Sequence, residues 1–181
     1  MGEKNNILVT GGYGFIGGNF IRFLQDNFPD NRIVCIDKDG YASNKDYVED
    51  LCDKEYKLDI TNTLELENVF LSNEKFDYIF HFAAESHVDN SILGPKVFIE
   101  SNVLGTLNML ECFRKINNNY GRFIHISTDE VYGHLGFGDA SFTELTPISP
   151  RSPYAASKAS SDLLCLSYIN TYNSNISITR C

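Results

Sequence analysis

Short apolar runs alternate along this chain with stretches whose apolar residues recur at helical spacing. Ile7-Leu-Val-Thr10, Ile33-Val-Cys-Ile36, Tyr78-Ile-Phe-His-Phe82 and Ile176-Ser-Ile-Thr179 read as strands, Arg122-Phe-Ile-His-Ile126 as a buried one, and Tyr56-Lys57-Leu58 as a shorter one. Between them, Ile16, Phe20, Leu24 and Phe28 form the stripe of a helix that Pro29-Asp30-Asn31 ends. A second helix is expected from a cap at Thr61 or Thr63 through Phe70. A third, from Pro95 to about Asn118, places Ile99, Val103, Leu107, Leu110 and Phe113 on one face. A fourth covers about Tyr154 to Tyr172, with Leu163 to Ile169 toward the core. A polar loop follows the second strand, and the glycine- and proline-containing stretch 133–150 reads as a surface loop. Strands alternating with helices predict a parallel sheet covered on both faces, a Rossmann-type doubly wound α/β domain over residues 1–181. Second apolar faces, Leu104 with Met109 and Leu164 with Cys165, offer a homodimer interface.

Composition narrows the class of partner. A chain of 181 residues suits one domain with a substantial core, and 43% hydrophobic with 22% charged residues is ordinary for a globular protein. The net charge of −9 argues against nucleic acid or an anionic membrane as the main partner. A phosphate ligand stays open, because backbone amides bind anions locally. Met1 to Asn6 is polar and lacks a signal-peptide core, and Asn6 stands where a myristoylation motif needs Ser or Thr, so Gly2 is not expected to be acylated. No apolar run approaches transmembrane length. The five cysteines (35, 52, 112, 165 and 181) form no CxxC and read as reduced, mostly buried thiols, which predicts a cytoplasmic location.

The candidate chemistry sits at strand ends. The first strand runs into Gly11-Gly12-Tyr13-Gly14-Phe15-Ile16-Gly17, which fits both Gly12-x-Gly14-x-x-Gly17 and the wider Gly11-x-x-Gly14-x-x-Gly17. Such glycines permit a tight turn and close approach of backbone to a pyrophosphate at the helix N-terminus. Asp37 ends the next strand, twenty residues beyond Gly17, where a carboxylate accepts hydrogen bonds from a ribose diol and repels a 2′-phosphate. That pattern predicts NAD ahead of NADP, with Lys38 the discordant neighbour that softens the repulsion. Asp59 and Ile60 are placed to pin an adenine, and the small residues of Phe82-Ala83-Ala84 let a cofactor lie against backbone. His81 and His87 have no partners at metal-ligand spacing and read as structural, so no metal site is expected. After the fifth strand, Thr128-Asp129-Glu130 brings a hydroxyl and two carboxylates to a strand's carboxyl end. Tyr154 and Lys158 share one helix face, and an ammonium beside a phenol is expected to lower the phenol's pKa.

With these motifs assembled, the sequence resembles the extended short-chain dehydrogenase/reductases, and among them the nucleotide-sugar 4,6-dehydratases. The matching stretches are Val9-Thr-Gly-Gly-Tyr-Gly-Phe-Ile-Gly17, His81-Phe-Ala-Ala-Glu-Ser-His-Val-Asp-Asn-Ser91, Ile126-Ser-Thr-Asp-Glu-Val-Tyr-Gly133 and Ser152-Pro-Tyr-Ala-Ala-Ser-Lys-Ala-Ser-Ser-Asp162. The resemblance implies a lyase that borrows a hydride on NAD and returns it, with dTDP-glucose ahead of UDP-glucose as substrate. It implies that Tyr154 takes a proton from the sugar O4, that Thr128 hydrogen-bonds the same oxygen, that Glu130 removes the C5 proton and that Asp129 protonates the departing C6 hydroxyl. Ser86 would contact substrate and cofactor, and Ser101 and Lys158 the cofactor, Lys158 at the nicotinamide ribose. Members of the family continue into a smaller lobe that grips the nucleotide, whereas this sequence stops at Arg180-Cys181. The expectation is a chain that binds NAD and turns over poorly by itself. A 4-epimerase, which needs no C5 base, and a non-catalytic NAD-binding module are the alternatives.

Overall fold

The computed structural model describes residues 4–181. Gly2, and with it the acylation expectation, lies outside the described residues. Six strands, β1 (Asn6–Thr10), β2 (Arg32–Asp37), β3 (Lys54–Lys57), β4 (Tyr78–His81), β5 (Arg122–Ser127) and β6 (Ile176–Arg180), form one parallel sheet in the order β3-β2-β1-β4-β5-β6. The order reverses between β1 and β4, and the crevice at their carboxyl ends is where such sheets take ligands.

Alternation along the strands sends side chains to two cores. Leu8, Val34, Ile36, Ile79 and Phe123 pack against Leu66 and Phe70 of α2 (Thr63–Leu71), Met109, Leu110 and Phe113 of α5 (Gly105–Lys115), and Cys165 and Tyr168 of α6 (Pro153–Tyr172). On the other face Ile7, Val9, Ile33 and Cys35 meet Ile21 and Leu24 of α1 (Phe15–Asn27). That second cover does not reach β5, where Phe123, His125 and Ser127 are buried but Ile124 and Ile126 only half-buried. Both faces are covered, as expected, but unequally: on the second face the 13-residue α1 shields the β1–β2 side.

Several helix faces also differ from the expected ones. The buried stripe of α1 is Gly17, Gly18, Ile21 and Leu24, while Ile16 and Phe28 are exposed, because Gly17 and Gly18 seat the helix against the glycine turn and Ile21 and Leu24 then face the sheet. Asn62 caps α2, accepting from Glu65 N at 3.4 Å. Thr61 is turned back on Asp59, its Oγ1 donating at 2.8 Å. The third helix is composite: after α3 (Val88–Leu93), α4 (Pro95–Phe98) passes through a π-helical stretch, Ile99–Leu104, into α5. The wide turn rotates the face that follows, so Ile99 is exposed and Val103 and Leu107 half-buried, while Phe98, Ser101, Asn102, Thr106, Met109 and Leu110 turn inward. Met109 and Cys165 are core residues with no accessible surface, which removes them from the expected dimer face; Leu163, expected inside, is exposed. Among the described residues no helix is long and apolar enough to cross a membrane.

Candidate active site

A cleft of about 510 Å³ opens at the carboxyl ends of the central strands. Gly11, Gly14, Phe15, Ile16 and Gly17 line one stretch of it, and Asp37, Lys38, Asp59 and Ile60 another. Phe82, Ala83, Ala84 and Ser86 follow from the end of β4, with Ser101 from the π-helical stretch and Thr128, Tyr154 and Lys158 at the β5–α6 end. One cleft thus collects all the residues expected to hold a cofactor. Asp129 and Glu130 do not line it. They occupy a 3₁₀ turn, Asp129–Tyr132, at its edge, with Asp129 exposed and Glu130 half-buried.

The glycine loop is shaped by what its glycines exclude. Gly11 has φ of +72°, and a Cβ there would lie 2.7 Å from the Ala83 nitrogen. A Cβ on Gly17 would lie 2.2 Å from the Gly11 carbonyl oxygen, so helix α1 starts against the turn only because that position is bare. Gly14 is the N-cap of α1 and provides no side chain to it, so the amides of the first turn keep their capacity for an outside acceptor. Asp37 is buried and its carboxylate is held from three sides: Tyr13 N donates at 3.0 Å, Asp39 N at 2.8 Å and the Ser43 hydroxyl at 2.9 Å. A bare helix N-terminus for an anion and an oriented carboxylate for a diol fit the diphosphate and ribose of a dinucleotide.

Lys38 forms an ion pair with Glu85, which also accepts from the Tyr41 hydroxyl at 3.2 Å. Glu85 is itself clamped through its backbone: its N–H donates to Asn102 Oδ1 at 2.7 Å and its carbonyl accepts from Asn102 Nδ2 at 2.9 Å. The second Asn102 N–H reaches Ser157 Oγ, 2.8 Å away, and the Asn102 carbonyl accepts from Ser161 Oγ at 2.6 Å. His81 lies in a buried chain between the hydroxyls of Thr10 at 2.7 Å and Thr106 at 3.0 Å, a structural position. Among the described residues, no three His, Cys, Asp or Glu side chains cluster as metal ligands would.

At the β5–α6 end, Ser152 caps α6 by accepting from Ala155 N at 3.0 Å, with Pro153 at the first helical position. The cap fixes the start of the helix and so aims Tyr154 and Lys158 at the strand ends. Lys158 Nζ donates to the Ile126 carbonyl at 2.7 Å, and burial lowers its pKa to about 8. The expected lowering of Tyr154 is not found. Burial, then the Glu130 carboxylate, push the phenol above its ordinary value, and the Thr128 hydroxyl only partly offsets them. The lysine's short bond goes to a backbone carbonyl, and the carboxylates of Glu130 and Asp129 bear on the phenol with the same sign as its phenolate. Glu130 is raised as well, by burial and by Asp129, which makes it a stronger base than a solvated carboxylate. Beneath this end lies a buried group in which Asp162 accepts from Arg180 Nε at 2.9 Å and Arg180 Nη1 donates to the Tyr132 hydroxyl at 2.5 Å.

Reasoning from sequence did not propose Glu85, Tyr41, Ser43 or Cys181 for the cleft they also line, nor Asn102 behind it, and it read His87 as structural where the fold places it in the cleft wall. Glu85 lay inside the Ala-Ala-Glu-Ser run and carried a signal; Asn102 lay on an apparently regular helix and carried none.

A 3-2-1-4-5-6 parallel sheet, a glycine turn at its switch point and a Tyr-x-x-x-Lys helix beside the fifth strand define a Rossmann-type domain of the extended short-chain dehydrogenase/reductases. Within that class the chain belongs to the GDP-mannose 4,6 dehydratase family, whose model matches residues 8–181. It is 43% identical to the dTDP-glucose 4,6-dehydratase of Neisseria meningitidis over 186 residues, covering 97% of this chain and 52% of that protein. Among solved structures, it is similar to the dTDP-glucose 4,6-dehydratase DesIV from Streptomyces venezuelae with NAD and TYD bound, at TM-score 0.88 and 42% identity over 97% of this chain and 55% of the other. The UDP-glucose 4-epimerase of Thermus thermophilus in complex with NAD is similar at TM-score 0.86 and 28% identity, over 97% and 54% respectively. The chain spans about half the length of the curated relatives it matches.

Proposed function

We propose that this chain binds NAD and carries the reacting groups of a nucleotide-sugar 4,6-dehydratase acting on dTDP-glucose. The observation that carries the reading is that the glycine turn and Asp37 at one end, and Thr128, Tyr154 and Lys158 at the other, line a single cleft. The first-turn amides of α1, at Phe15, Ile16 and Gly17, would hold the diphosphate, Asp37 the adenosine ribose, Asp59 and Ile60 the adenine, and Ser101 and Lys158 the second ribose, with Phe82 to Ala84 as a close backbone wall. NAD would supply the hydride acceptor, and the positive charge of its nicotinamide ring would favour the Tyr154 phenolate.

In this reading Tyr154 accepts the proton of the sugar O4 while Thr128 and Ser86 hold the sugar. Oxidation at C4 acidifies C5, Glu130 removes the C5 proton, and Asp129 delivers a proton to the C6 hydroxyl, which leaves as water. The raised pKa of Glu130 supports its role as the base. The test is incubation with NAD and dTDP-glucose, followed by a search for a 4-keto sugar. Tyr154→Phe is expected to abolish the product while leaving NAD affinity within about threefold. Product formed at an undiminished rate by Tyr154→Phe would refute the assignment. Turnover by these 181 residues alone is expected to be slow, because remote contacts to the nucleotide position the reacting sugar.

The similarity to UDP-glucose 4-epimerases favours a second reading, separated from the first by one variant. Glu130→Gln spares an epimerase and stops a dehydration. The five free thiols, three of them buried, support a reducing cytoplasmic location. The exposed Leu93, Ile92, Leu163 and Leu104 on the helices around α6 support a homodimer, which light scattering tests.

A further inference from the structure

Asp37 accounts for a preference for NAD only if the cation next to it is silent, and Lys38 is that cation. Apart from Lys158, held at the far end by the Ile126 carbonyl, Lys38 is the one Lys or Arg among the described residues lining the cleft. The other nearby lysines are engaged: Lys57 with Asp39 at 2.7 Å and Lys45 with Glu55 at 3.6 Å. A lysine free beside a ribose carboxylate would offer a 2′-phosphate the partner that such a site otherwise lacks. Here the Lys38 ammonium is paired with Glu85, from across the cleft. The Glu85 side chain is 8% exposed and its backbone is tied to Asn102 by two hydrogen bonds, so its carboxylate is a fixed counter-charge and not a solvated one that drifts.

We propose that Glu85 is a positioning residue for cofactor choice: it holds and neutralises Lys38, so that Asp37 alone decides against a 2′-phosphate. The inference rests on the NAD reading above and goes beyond it by assigning the selectivity to a residue on a different strand end. A 2′-phosphate entering the site meets the Asp37 carboxylate and an already neutral Lys38–Glu85 pair. Removing the Glu85 charge frees one cation for that phosphate and leaves the backbone clamp at Asn102 in place.

The test is fluorescence titration of the folded chain with NADH and with NADPH, which requires no turnover. In Glu85→Gln, NADPH affinity relative to NADH is expected to rise about three- to fivefold, the scale of one ion pair in a partly solvated site. In Lys38→Met/Glu85→Gln the ratio is expected to return to the wild-type value, since the gain acts through Lys38. Lys38→Met alone is expected to change the ratio less than about twofold, because the lysine it removes is already occupied. A ratio unmoved in Glu85→Gln, a gain that survives in the double variant, or a severalfold loss of NADPH binding in Lys38→Met would each overturn the proposal. Wild-type protein that binds neither dinucleotide would overturn the cofactor reading itself, and this inference with it; wild-type protein that binds NADH while Glu85→Gln leaves the ratio unchanged overturns this inference alone.

Discussion

Replacing Asn102 with alanine is expected to damage both stability and the cofactor cleft. The side chain is 1% exposed and makes three hydrogen bonds, to Glu85 N–H at 2.7 Å, Glu85 C=O at 2.9 Å and Ser157 Oγ at 2.8 Å. Each such bond contributes about 1 kcal/mol net, and leaving a buried backbone group unpaired adds its desolvation penalty of about 1–3 kcal/mol. Ser157 keeps a partner, since its hydroxyl donates to the Tyr154 carbonyl at 2.7 Å, so the penalty falls mainly on Glu85. The expected loss is about 5 kcal/mol or more, a large fraction of the stability of an ordinary domain. For a chain of this size that corresponds to a fall in Tm of about 10 °C or more. Urea unfolding followed by circular dichroism measures it, and NAD titration of the residual folded protein should show weakened binding because Glu85 has lost its anchor. Asn102→Asp should fare no better, as it keeps the acceptor to Glu85 N–H but loses both donors. A loss below about 1 kcal/mol would refute the argument: it would mean that water replaces the amide without cost and that the clamp carries no energy.

Further outcomes follow from single positions. Gly17→Ala places a Cβ 2.2 Å from the Gly11 carbonyl oxygen, so the turn must open, and NAD affinity measured by titration should fall at least about tenfold. His125 is fully buried, and burial, then the Lys158 ammonium, lower its pKa from 6.5 to about 4. The unfolded chain therefore binds a proton between those values that the folded chain refuses, and stability falls as pH drops from 6.5 toward 4. At 1.36 kcal/mol per pH unit the loss is about 3 kcal/mol, which unfolding at several pH values should show and His125→Gln should reduce. Lys158 titrates at about 8 in the folded state against 10.5 unfolded, so its contribution makes stability rise with pH across that window. The wild-type curve should climb relative to that of Lys158→Met by about 3 kcal/mol between pH 8 and 10.5; parallel curves would show that the ammonium is not buried.

The amino-acid sequence by itself determined the strand–helix alternation, the glycine turn, the acidic end of β2 and the Tyr154–Lys158 face, because each is local. A run of β-branched residues, a missing Cβ and a four-residue helical spacing act within one element and need no partner to be read. Tertiary structure alone decided which helix faces are buried. Ile16 and Phe28 satisfy helical periodicity as well as Ile21 does, but Gly17 and Gly18 seat α1 against the glycine turn so that Ile21 and Leu24 face the sheet, and the π-helical stretch at Ile99–Leu104 turns Asn102 inward where a regular helix predicts Val103. The electrostatics were likewise out of reach. Whether Lys158 lowers Tyr154 or binds the Ile126 carbonyl, and whether Lys38 faces the ribose or Glu85, depends on which charges the fold brings within a few ångströms across 32 and 47 residues of chain. Coulomb interactions and desolvation act through space and vary steeply over such distances, so sequence order carries the residue types but not their fields.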